Sequence, residues 1–134
     1  MNKVIVILEL TDTGYSAYVP ELPITCTAGS DLNEIEVNMR EAIALHIEGM
    51  ELYKEEIPTK FMTNFIFDFH LDIQDFFQLF KPVKQSVIAQ RAGINPSLLR
   101  QYARGIKHPS LVQAKKIEKA IHQLGRELLR IQLL

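Results

Sequence analysis

Gln85-Ser86-Val87-Ile88-Ala89-Gln90-Arg91-Ala92-Gly93-Ile94-Asn95-Pro96-Ser97-Leu98-Leu99-Arg100-Gln101-Tyr102-Ala103-Arg104 is the stretch on which the reading of the whole chain turns. Ile88, Ala89 and Ala92 give a first short helix one apolar face, and Ala89 is small where a second helix would cross closely. Gly93 ends that helix, because the residue just past a helix often sits left-handed and glycine does so without steric cost. Asn95 can cap the next helix, and Pro96 suits its first position, where no amide donor is needed. Leu98, Leu99 and Tyr102 form the buried stripe of this second helix. Its outward face is then Ser97, Arg100, Gln101 and Arg104. Arginine can fork onto guanine, glutamine onto adenine, and hydroxyls can meet phosphates or base edges.

This pattern resembles the DNA-binding helix-turn-helix of the Xre/Cro repressor type. The resemblance runs on through Gly105-Ile106-Lys107-His108-Pro109-Ser110, which is similar to that family's loop into the next helix. It implies that Ser97, Arg100, Gln101 and Arg104 face a major groove, with Asn95 at the start of the reading helix. Gln85, Ser86 and Lys107 would hold phosphates, and the ligand would be operator double-stranded DNA. Such proteins usually read two-fold sites as dimers.

The net charge of −1 conceals a division. Residues 1–82 carry 5 Lys/Arg against 14 Asp/Glu, a balance of −9, whereas residues 83–134 carry 10 against 2, a balance of +8. An acidic half joined to a basic half suggests two partners of opposite electrostatic character. The basic half coincides with the helix-turn-helix, as phosphate binding requires. A chain of 134 residues, 47% hydrophobic, suits one domain or two small ones. The single cysteine, Cys26, excludes an intramolecular disulfide. Met1-Asn2-Lys3 leads into only a short apolar run before Glu9, unlike a signal peptide, and no stretch is long enough to span a membrane. A cytoplasmic protein is expected.

In chain order, Val4 to Leu8 reads as a buried strand, and Thr11-Asp12-Thr13-Gly14 as a turn. Tyr15 to Val19 alternates and pairs back as a hairpin; Ile24 to Ala28 makes a third strand that Gly29 breaks. Ser30 or Asp31 caps a long helix with the stripe Leu32, Ile35, Met39, Ile43, His46, Met50 and Tyr53, ended by Ile57-Pro58. Thr63 to Leu71 is a fourth strand with Phe65, Phe67 and Phe69 on one face. Residues 1–72 therefore read β-β-β-α-β, an α+β domain with a helix on one face of a small antiparallel sheet. Residues 73–134 read as all-α. They begin with a helix over Asp72 to Phe80 and end with a helix capped by Ser110, whose stripe is Ile117, Ile121, Leu124, Leu128 and Ile131. The end, Leu128-Leu129-Arg130-Ile131-Gln132-Leu133-Leu134, holds more apolar residues than one stripe can bury, so this last helix is expected to contribute to a homodimer through Ile121, Leu124, Leu128 and Ile131.

Residues 14–54 carry a second resemblance. Tyr15-Ser16-Ala17-Tyr18-Val19-Pro20-Glu21-Leu22-Pro23, then Thr27-Ala28-Gly29-Ser30-Asp31-Leu32-Asn33-Glu34, then Asn38-Met39-Arg40-Glu41-Ala42-Ile43, is similar to the HicB antitoxin family. Ile24 and Thr25 stand where that family usually has Gly and Cys. The resemblance implies a partial ribonuclease-H-like first domain (1–72) and a DNA-binding, dimerising second domain (73–134). It also implies a HicA-like toxin as partner, a small basic ribonuclease that cleaves mRNA, and repression of the protein's own operon. The alternative is a stand-alone regulator whose first domain senses a ligand or another protein.

Enzyme chemistry is not expected. Glu9, Asp12 and Asp68 do not form the convergent carboxylate set that a two-metal nuclease needs. Cys26 with His46 or His70 has no third orienting group, and His108 and His122 lack metal-ligand spacing. Neither a metal nor any other cofactor is expected.

Overall fold

The computed structural model describes residues 1–23 and 25–134. They form two compact units, Met1–Asp72 and Ile73–Leu134.

The first unit contains β1 (Asn2–Leu10), β2 (Tyr15–Tyr18), β3 (Cys26–Gly29), α1 (Leu32–Leu52), a short 3-10 helix (Thr59–Met62) and β4 (Phe65–His70). The sheet order is β3-β2-β1-β4. Leu8 faces Ala17 across the antiparallel β1–β2 pair, and Ala17 faces Thr27 across β2–β3. The expectation of an all-antiparallel sheet fails at β4, which runs parallel to β1 with Val4 opposite Phe67. A parallel neighbour needs a crossover connection, and α1 supplies it. Residue periodicity reports which face a side chain takes, not which way the neighbouring strand runs.

One sheet face is covered. Val4, Val6, Leu8, Tyr15 and Ala17 are buried there against Ile35, Met39 and Ile43 of α1. Each wholly buried aliphatic side chain contributes about 1.5–3 kcal/mol. The apolar run Val4–Leu8 is not buried on both sides, because Ile5 on the other face is 38% exposed. Asp31, rather than Ser30, caps α1, its carboxylate accepting from the Glu34 N–H at 2.8 Å. Arg40 ties α1 to β4: its guanidinium lies 5.0 and 4.7 Å from the Phe65 and Phe67 rings and donates to the Phe65 carbonyl at 3.0 Å. β3 starts later than expected and includes Gly29; Ile24, the expected first residue, lies outside the described residues. The helix stops at Leu52, short of Ile57-Pro58, and Tyr53 is exposed rather than part of the stripe. The stop is a left-handed Lys54 (φ 55°), with the Glu55 N–H bonded back to the Met50 carbonyl at 2.8 Å.

The second unit contains α2 (Ile73–Leu79), α3 (Gln85–Ala92), α4 (Pro96–Ala103) and α5 (Leu111–Leu129). Its core is Phe77, Ile88, Ala89, Ile94, Leu99, Tyr102, Ile117 and Ala120. Ser110 caps α5 through the Gln113 N–H at 3.2 Å. Ile121 and Leu124 pack partly against this core, whereas Leu128 is exposed and Ile131 lies exposed beyond the helix. Arg91 of α3 joins Glu127 of α5 at 2.7 Å.

Candidate nucleic-acid interface

The α3–α4 pair is held by its turn. Gly93 is left-handed (φ 69°); its N–H reaches the Gln90 carbonyl at 3.3 Å, and the Ile94 N–H reaches that of Ala89 at 2.9 Å. This reciprocal pair satisfies two orphan carbonyls of α3, and Ile94 drops into the core beside it. Two residues later the Asn95 side chain accepts from the Ser97 N–H at 2.8 Å and starts α4, with Pro96 at the first position. Gly105 (φ 75°) ends α4 in the same manner, with the Ile106 N–H on the Gln101 carbonyl at 2.9 Å. Both ends of α4 are therefore fixed by local chemistry, and Leu99 and Tyr102 fix its rotation by burial.

That rotation turns Ser97, Arg100 and Arg104 to solvent, with Gln101 half-buried at the edge of the same face. Arg100 has only the Ser97 hydroxyl beside it, at 3.3 Å. Lys107 is exposed in the loop after α4. Among the described residues none of Arg100, Arg104 and Lys107 is in an ion pair. Arg91 is different. Its hydrogen bond to Glu127, and then the charge of that carboxylate, raises the guanidinium's pKa, and the same contacts hold the Glu127 carboxyl below its usual range. Gln85 and Ser86 open α3, half-buried and exposed, after Lys84, which offers no side-chain cap. The structure thus gathers Ser97, Arg100 and Gln101 on one helix and Arg104 at its C-cap. Asn95 is chiefly a cap whose side-chain oxygen is already engaged.

The residues weighed for catalysis are kept apart. Asp68 sits opposite Ile5, so Glu9 lies four residues further along β1, about 13 Å away. Cys26, Tyr18, Ile7 and His70 form one row across the sheet, which puts the thiol and the imidazole three strand spacings, about 14 Å, apart. His46 rides on α1, over the opposite sheet face. Among the described residues no three His, Cys, Asp or Glu side chains come together as a metal site. Nor is any of the described helices long and apolar enough to cross a membrane.

The family model described as the HicB-like antitoxin of bacterial toxin–antitoxin systems matches residues 4–121. The chain belongs to the HicB-like antitoxin family. The match begins in β1 and ends at Ile121, so it takes in the sheet, α1 and the α3–α4 pair of this HicB-like chain. Among curated relatives, an uncharacterised 14.9 kDa protein of Haemophilus phage HP1 is 43% identical over 51 residues, spanning 38% of each chain. A UPF0150 protein of Thermoplasma acidophilum is 34% identical over 58 residues, 43% of this HicB-like chain and 84% of the relative. No solved structure gives a significant match.

The sequence reading missed the second apolar line on α1. Leu45 and Leu52 lie off the expected stripe and are exposed. Their seven-residue spacing was the available signal.

Proposed function

We propose that this chain neutralises a HicA-like mRNA-cleaving toxin through its first unit and represses its own operon, as a homodimer, through its second. The observation that carries the reading is the face of α4 and its cap, Ser97, Arg100, Gln101 and Arg104, which makes no ion pair among the described residues, within the family match. Supported by the Gly93 turn, it reads as an Xre/Cro-type helix-turn-helix, with Arg100 and Gln101 against base edges. Gln85, Ser86 and Lys107 would grip phosphates on either side, with Asn95 setting the register of α4. Exposed Leu128, continuing the line of Ile121 and Leu124 on α5, and exposed Ile131 beyond it support a dimer through this end of the chain.

Residues 1–72 hold 4 Lys/Arg and 13 Asp/Glu, and this charge supports attraction of a basic toxin. The β-β-β-α-β order is consistent with a partial ribonuclease-H-like scaffold, and the separation of Glu9 from Asp68 favours a protein-binding rather than a nuclease role for it. Both mRNA and operator belong to the cytoplasm, which is the compartment this reading requires.

The test is to recover the tagged full-length chain from its native cells and identify what comes with it by mass spectrometry. In parallel, the DNA upstream of its gene is titrated with pure protein at fixed salt. A small basic protein near stoichiometry, and a retarded upstream fragment, are expected. Absence of the protein partner removes the antitoxin half; an upstream fragment bound no better than unrelated DNA removes the repressor half.

A further inference from the structure

α1 is longer than the two short strands, β2 and β3, that it packs on. Its 21 residues extend about 30 Å, whereas β2 and β3 are four residues each, about 13 Å. Only Ile35, Met39 and Ile43 are fully buried, and in the last two turns His46, Ile47, Gly49 and Met50 are half-buried. Those turns still bear large apolar groups. Leu45 is 71% and Leu52 76% exposed. Together with Glu48 and Gly49 they occupy positions i, i+3, i+4 and i+7, one continuous helix face opposite the buried one. Leu45, Glu48, Gly49, Glu51 and Leu52 line a shallow groove there.

Gly49 is the second observation. Glycine is a poor residue for a helix interior, and this chain's own packing does not require one here, since nothing lies within 4 Å of a Cβ built at Gly49. The gap between the two leucines is therefore open to an outside backbone, which could approach closely. The third observation is charge. From Glu41 to Glu56 there are five carboxylates and one cation, Lys54. An apolar centre with an acidic rim matches a partner with an apolar knob and a basic rim. A two-fold contact with a second copy would instead bring two acidic rims together.

We propose that the exposed face at the C-terminal end of α1, centred on Leu45, Gly49 and Leu52, is the surface on which the basic toxin seats. This rests on the antitoxin reading and adds the place of contact. Apolar packing into the Gly49 gap holds the partner, while the glutamate rim steers it and sets its orientation.

The experiment uses the full-length chain and the small basic protein recovered with it. Gly49→Gln fills the gap with a better helix former, so it keeps or raises the unfolding temperature. Leu45→Ser with Leu52→Ser removes the apolar centre at exposed positions. Each variant is expected to weaken the complex at least tenfold, read by titration calorimetry, with the circular dichroism spectrum unchanged. Retention within twofold by both variants overturns this surface and leaves the antitoxin reading standing. Failure of the unaltered chain to hold any basic protein removes both. A free chain whose mass by light scattering falls with Gly49→Gln identifies a second copy as the occupant and also overturns the proposal.

Discussion

Leu99 and Arg100 stand side by side on α4, one wholly buried and the other exposed, so their removal has separable effects. Leu99→Ala should lower unfolding stability by about 2–5 kcal/mol, because a cavity opens at the centre of the second unit. Arg100→Ala should leave the unfolding temperature unchanged and weaken the specific DNA complex by about 1–3 kcal/mol, measured by fluorescence anisotropy at fixed salt. Equal affinities for the specific fragment would remove Arg100 from the reading face. The burial of Leu99 and the exposure of Arg100 were legible in sequence, because a helix of eight residues between two strong caps has only one way to face. Asn95 was legible as a cap for the same reason: its side chain and the Ser97 N–H are two residues apart, and no distant contact decides their bond. Lys54 was not legible. A lysine at φ 55° has no side-chain signature.

At the level of elements, that same stop makes a stability prediction. Only glycine takes the left-handed position without steric cost, so Lys54→Gly should raise stability by about 1 kcal/mol in chemical denaturation. An unchanged midpoint would mean that the Lys54 backbone is not held left-handed in solution. The α3–α5 contact makes a pH prediction. The bond from Arg91 to Glu127, and then the guanidinium charge, lowers the carboxyl's pKa on folding. A carboxylate with a lowered folded pKa binds fewer protons folded than unfolded. Its contribution is present above the unfolded value and is lost as pH falls through the folded one. The unaltered protein should therefore lose more unfolding temperature on acidification than Glu127→Gln, with the difference confined to the acid side. Parallel acid limbs would show that the pair does not persist in solution. Element identity and order were readable from spacing, since the core-facing stripes of α1 and α5 repeat at helical spacing and β2 alternates strictly. The parallel β1–β4 pairing was not, because Phe67 would face the same side of the sheet whichever way β4 ran. The Arg91–Glu127 pair was equally hidden, its partners being 36 residues apart.

Over the whole molecule, a formal charge of −1 would suggest indifference to polyanions. The two units say otherwise. Cut at the observed boundary, residues 1–72 carry −9 and residues 73–134, with 11 Lys/Arg against 3 Asp/Glu, carry +8. This division was legible in composition alone, because charge sums need no contacts. What composition could not give was which cations are available. Arg91 is engaged by Glu127 and Lys115 by Glu118, whereas Arg100, Arg104 and Lys107 are without ion pairs among the described residues. Counterion release depends on phosphates neutralised locally, not on net charge, with a slope of about −0.9 in log affinity against log salt for each. The full-length chain should therefore bind DNA with a steep salt dependence despite its near-neutral total. Lys107→Gln should make that slope shallower by about 1 and weaken all sequences alike, as a phosphate contact does. Replacing Glu55 and Glu56 by glutamine changes the net charge by two and touches no phosphate contact, so the slope should stay where it was. A slope that followed net charge in both variants would mean that the long-range field of the acidic unit, rather than the face of α4 and its loop, governs DNA binding.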